Sequence, residues 1–254
     1  MCIFTGRVAD VSGTAIFARP IREGRQILVY SMNLATSAEV AMVLPLPTPP
    51  GPSEDVVRFI DLSAWPHFFE EIDRAFRRPS PPKGFATLQT YSRRLVVHEV
   101  GSFEASFVPT RRDFSRLDPR FRLSDDVWEA LPDYDDWGFS VFKLGPMSRR
   151  TGVHPMALEF PRRQPDHVFF PTVHVHHGSV EPWAIFDHWL YCQDVDEARL
   201  DRWCWSFQSE RRWNTSPVAL SEVIVERVGD IVRPDLPCHR VALRGSYPNK
   251  DVVI

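Results

Sequence analysis

Two stretches of the chain carry residues able to do chemistry. The first is Cys2, in the opening MCIF. Removal of the initiator methionine would leave this thiol beside its own α-amine, whose ordinary pKa is about 8. Such an amine can take the thiol proton, so that nucleophile and base share one residue. The second stretch is FFPTVHVHHGSVEPWAIFDHWLYC, which holds His174, His176, His177 and His188, four of the nine histidines. Alternate residues of a strand share a face, so His174 and His176 emerge together. A hairpin turning at Gly178–Pro182 and pairing Thr172 with His188 would bring His188 to the same face. Three neutral imidazoles so placed would ligate a divalent transition metal, zinc or iron, and leave one position open for water. The competing reading is a set of core histidines bonded to backbone, since no HExxH-type spacing accompanies them.

The elements that must position these residues are mostly strands. Cys2–Phe4, Thr14–Ala18, Arg25–Ser31 and Val40–Leu46 are short runs rich in β-branched or aromatic residues, with glycines near their ends. Pro45 places the end or an edge of the last of these. Phe68, Phe69, Ile72, Ala75 and Phe76 recur at helical spacing, and Pro66 suits a first turn, which predicts a helix over Pro66–Arg78. Ser124 can cap a short helix over Ser124–Leu131, with Asp125 and Asp126 at its positive end.

Further strands are expected at Arg94–Val100, Ser102–Val108, Trp137–Leu144, His154–Phe160, His167–His176 and Trp183–Cys192. A helix is expected over Asp194–Arg211, and an extended tail from Cys238. Many strands, few helices and no regular βαβ period predict an α+β fold, mainly antiparallel β-sheets packed with a few helices. The proline-rich loop at 79–84 is an internal boundary, but the piece before it is small, so residues 1–254 read as one domain.

Composition excludes several classes. Hydrophobic residues make up 43% and charged ones 25%, with a formal net charge of −3, so no global attraction to nucleic acid or anionic lipid follows. No apolar run of about 18 residues is present to span a membrane. MCIF reads as the start of the whole translated protein, without a secretory leader. The four cysteines form no CxxC pair, which suits buried thiols in a reducing cytoplasm.

The opening MCIFTGRVADVSGTAIFAR resembles the N-terminus of cysteine N-terminal-nucleophile hydrolases of the bile-salt and penicillin-acylase-like type. That resemblance implies a hairpin carrying Cys2 as nucleophile, and an arginine at Arg19 that lowers the thiol pKa and steadies the substrate. Pro20 stands where the family has asparagine. Asn33, near the third strand, is the candidate oxyanion donor beside backbone amides. A second set of segments, ILVYSM, AMVLPLPTPP, VGSFEASFVP, WGFSVFKL and MALEFPRR, is similar to a bacterial family of uncharacterised function, and implies no activity.

Three functional expectations follow. The first is a cytoplasmic, cofactor-free amidohydrolase that cleaves a C–N amide bond of a small-molecule substrate with Cys2, Arg19 and Asn33. The second is a metal-dependent protein built on His174, His176 and His188. The third is a non-catalytic binding or scaffold protein, whose proline-rich loop and aromatic patches (WCWSF at Trp203–Phe207 among them) contact a partner.

Overall fold

A computed structural model describes residues 3–77, 104–176, 178–206, 212–224 and 230–254. Strands β1 (Ile3–Phe4), β2 (Asp10–Ile21), β3 (Arg25–Thr36) and β4 (Val40–Leu46) follow one another in the first part of the chain. Then come β5 (Arg58–Ile60), helix α1 (Phe68–Arg74), β6 (Glu104–Val108), α2 (Asp125–Glu129), β7 (Gly138–Leu144) and β8 (Met147–Pro161). The remainder holds β9 (Phe169–Phe170), β10 (Trp183–Cys192), α3 (Glu197–Ser206), β11 (Asn214–Thr215), β12 (His239–Pro248) and β13 (Val252–Val253).

Among the described residues these strands form three sheets. One is four-stranded, ordered β1-β4-β7-β6, and one seven-stranded, ordered β11-β12-β10-β2-β3-β8-β5; β9 pairs with β13 alone. All pairings are antiparallel except β10 with β2, where His188 lies opposite Thr14 and Cys192 opposite Ala18. The α+β architecture with mainly antiparallel sheets is therefore what the sequence pattern predicts. The two large sheets share an apolar cluster: Phe4, Met42, Leu44 and Phe142 from one meet Ile16, Leu28, Met156 and Leu190 from the other. Apolar burial at this interface is the main stabilising term.

Local chemistry explains most element ends. β4 is buried along its length and pairs with β1 only at Met42 and Val43, so Pro45 lies beyond that pairing. A missing N–H is tolerated there. Helix α1 is shorter than the periodicity predicts, and buries Phe68 and Ile72 beside Trp65, whose ring centroid is 4.8 Å from that of Phe68. Ser124 caps α2 by accepting from Val127 N–H at 3.4 Å. The strand expected over Arg94–Val100 lies outside the described residues, as do the proline-rich loop at 79–84 and the last part of the helix expected over Asp194–Arg211. No helix among the described residues is long and apolar enough to cross a membrane.

The hairpin expected between His167–His176 and Trp183–Cys192 is not formed. β10 spends its two edges on β12, in the register Trp183–Pro248 through Cys192–His239, and on β2. The upstream segment keeps only two strand residues, Phe169 and Phe170, and these pair with Val253 and Val252. Period-two patterning reports a buried extended segment but not its partner.

Candidate functional site: the first strand and the histidine segment

β1 runs beside the histidine segment. Ile3 forms a parallel bridge with Val175, and Phe4 N–H donates to Val175 O at 3.0 Å. The start of the chain thus runs along the histidine segment, a proximity across some 170 residues that spacing could not reveal. Cys2 and His177 lie outside the described residues.

His174, His176 and His188 do converge, although not through the expected hairpin. His174 stacks on His176 with ring centroids 5.4 Å apart and planes at 20°, and meets His188 at 5.2 Å with the rings tilted by 33°. Phe186 closes on His174 at 4.4 Å, and Phe4 meets His176 edge-on at 6.1 Å. Burial pushes His188 and His174 well below the ordinary imidazole pKa, and the neighbouring imidazoles add to the effect. His174 and His188 are thus held neutral within an aromatic cluster. Among the described residues no group of three or more His, Cys, Asp or Glu side chains is arranged to hold a metal. The expectation of a metal-binding protein on His174, His176 and His188 finds no support in that arrangement.

Arg19 belongs to a different part of the molecule. It lies on β2 in the seven-stranded sheet, whereas β1 belongs to the four-stranded one. Only 5% of it is exposed. Its Nε donates to Ile231 O at 2.8 Å, one Nη to Asp230 O, and the other to Asp194 at 3.3 Å. Burial lowers its pKa, and the hydrogen bond and charge of Asp194 oppose that shift. The guanidinium thus binds residues 230–231 to the sheet. Asn33 packs at the irregularity in β2, where the register with β3 shifts between Ser12 and Ala15. Gly13 has φ of 59° there, and a Cβ on it would lie 2.7 Å from Asn33 Nδ2. Glycine alone meets both demands without strain.

What holds the histidine segment was missed by sequence reasoning. Asp251 accepts from Thr172 N–H at 2.7 Å, Val173 N–H at 3.0 Å and the Tyr134 hydroxyl at 2.6 Å. Asn249 accepts from His174 N–H at 2.7 Å and returns its own amide N–H to His174 O at 3.0 Å. Burial raises Asp251 to about 6, despite the hydrogen bonds from Tyr134, Val173 and Thr172 that pull the other way. One signal was available: a lone polar residue inside an apolar strand, such as Gln26 before ILVY, marks a buried amide that must have partners.

This arrangement of sheets has solved counterparts. In fold, the chain is similar to the crystal structure of baculovirus P35, with a TM-score of 0.50 and 13% identity over 99% of this chain and 98% of that one. A mutated baculovirus P35 after caspase cleavage gives the same TM-score of 0.50 and 13% identity, over 94% of this chain and 98% of that one. No protein-family model and no curated protein sequence matches the chain. The resemblance to cysteine N-terminal-nucleophile hydrolases is thereby corrected, and with it the amidohydrolase reading of Cys2, Arg19 and Asn33 and the small-molecule substrate. Twenty residues of similarity around one cysteine are outweighed by a backbone that follows another fold from end to end.

Proposed function

We propose that this chain is a non-catalytic binding protein of the P35 type, whose partner is a cysteine protease of the caspase class and which acts on it as an inhibitor. The observation that carries this reading is the end-to-end fold similarity to P35, one of whose solved forms had been cleaved by a caspase. The chemistry-bearing side chains agree with it. Arg19 and Asp251 are spent on holding backbone, and the histidines pack on one another and on Phe186 and Phe4. Two large apolar residues on one face of β10, Trp183 at 60% and Ile185 at 77% exposed, suit contact with another macromolecule.

The test is incubation of the purified chain with caspase-type proteases at equimolar ratio. Residual peptidase activity is followed alongside electrophoresis and intact mass. Loss of protease activity together with a stable complex, or with one defined cut in the chain, is the expected result. Full protease activity in the presence of excess chain would remove this reading.

A further inference from the structure

A second site lies away from the first strand, between the ends of β4, β7 and β8 and the β9–β13 pair. It is a partly enclosed cavity of about 220 Å³, walled by Pro47, Trp137, Phe169 and Val253, with Arg162 and His167 on its polar side. The rings of Trp137 and Phe169 meet edge-on at 5.4 Å and form a flat apolar surface.

Arg162 and Arg163 are adjacent in sequence and treated oppositely by the fold. Arg163 is satisfied: Nε donates to Thr48 O at 2.9 Å, and its two Nη atoms bind the Asp136 carboxylate at 2.9 and 3.0 Å and the Asp136 carbonyl at 2.7 Å. Arg162 is 9% exposed, and its guanidinium has one acceptor among the described residues, His167 O at 2.7 Å. Its Nε is buried without a partner. Burial and the nearby Arg199 both disfavour its charge, and Asp166 opposes them only from a distance. A buried guanidinium without a counter-charge is costly unless something supplies one.

We infer that this cavity binds a carboxylate carried on a compact apolar body, with Arg162 taking the carboxylate and Trp137, Phe169 and Pro47 covering the rest. A planar carboxylate matches the forked donors of one guanidinium. A phosphate dianion would call for more cationic or backbone donors than this largely apolar wall provides. The carboxylate can come from the end of a partner polypeptide with an apolar last residue, or from a free small acid. This inference rests on Arg162 and its cavity alone, so the outcome of the protease assay does not bear on it.

The test uses the full chain and calorimetric titration with four probes: 3-phenylpropionate, its amide, a short peptide ending in phenylalanine with a free carboxylate, and the same peptide amidated. Binding of at least one acid, with its amide weaker by about tenfold or more, is expected. A tighter peptide acid identifies the polypeptide source, and a tighter free acid the small-molecule source. Arg162→Met should weaken the acid by the same factor. Because that variant alters a buried residue, Val253→Trp is the companion: Val253 is exposed at the mouth, and a bulky ring there should block the acid while leaving the fold intact. Equal binding of acid and amide, binding of neither acid, or undiminished binding to Arg162→Met would overturn the inference.

Discussion

The side-chain amide of Gln26 grips the backbone of Phe169 from both sides: Phe169 N–H donates to Oε1 at 3.0 Å, and Nε2 donates to Phe169 O at 2.7 Å. Gln26 lies on β3 and is fully buried. It thus acts as a one-residue piece of sheet for a segment that has no long strand to pair with. Asn249 does the same for His174, and Gln193 donates to the carbonyls of Arg233, Leu236 and Pro237. Buried backbone groups must be paired. In this fold, side-chain amides replace ladders where extended segments cross the ends of the sheets.

Gln26→Leu keeps the volume and removes both partners of Phe169. Two buried backbone groups lose their hydrogen bonds at once, each worth about 1–3 kcal/mol. A loss of about 2–4 kcal/mol in unfolding free energy is expected, read from urea titration. A change under 1 kcal/mol, on the same scale, would mean that the grip contributes little.

How far the sequence reaches is clear from particular elements. Val40–Leu46 and Trp183–Cys192 were legible to the residue, because apolar continuity and flanking polar turns define such strands without knowledge of their neighbours. The partner of Trp183–Cys192 was not legible. A strand at the middle of a sheet takes its neighbours from distant residues, here β2 and β12, and period-two patterning is blind to that choice. His174, His176 and His188 lie together in the fold, and their rings pack against Phe186 and Phe4, a setting that composition does not encode. Arg162 was one of many arginine pairs in sequence, and only burial sets it apart from Arg163.

Arg19 is a positioning element for residues 230–231. Arg19→Met would leave two carbonyls and one side of Asp194 without their donor. Removing one partner of a buried charged pair typically costs about 3–5 kcal/mol, and the partial exposure of Asp194 reduces this to about 2–3. Arg19→Lys restores charge but not the fork, and should recover less than half of the loss. Thermal unfolding of the three proteins ranks them; equal midpoints would contradict the assignment.

Cys192 and Cys238 are fully buried, and burial raises both thiols above their ordinary pKa. The Cys238 thiol also donates to Cys192 O at 3.4 Å. The thiolate is the reactive form. Neither residue should therefore react with an aromatic disulfide reagent in the folded protein, and both should react once the chain is unfolded in guanidinium. Peptide mapping of the labelled sites decides the matter, and rapid native labelling at Cys192 would show that β10 opens.

Asp251 and the histidine stack tilt stability with pH in opposite directions. The folded pKa of Asp251, about 6, lies above the ordinary carboxylate value of 3.8. The folded state therefore holds this proton more tightly, and the contribution of Asp251 is largest at low pH and is lost as pH rises toward 6 and beyond. In Asp251→Asn nothing titrates there. The difference in Tm between variant and wild type should move in favour of the variant as pH goes from 4 to 7. A carboxyl carbon titrating near 6 in the NMR spectrum of wild type, absent in the variant, fixes the assignment.

His188 and His174 carry the other sign. Their folded pKa values are depressed by burial below the ordinary 6.5, so below that pH the unfolded chain binds protons that the folded chain refuses. Stability falls as pH drops from 6.5, by up to about 1.4 kcal/mol per unit for each histidine. His188→Leu removes one of the two and should flatten the acid limb by about that slope, whatever its effect at neutral pH. Because Asp251 works the opposite way over the same window, the wild-type curve alone mixes the two. The difference between His188→Leu and wild type isolates the histidine, and a difference that stays constant from pH 7 to pH 4.5 would show that His188 is protonated in the fold.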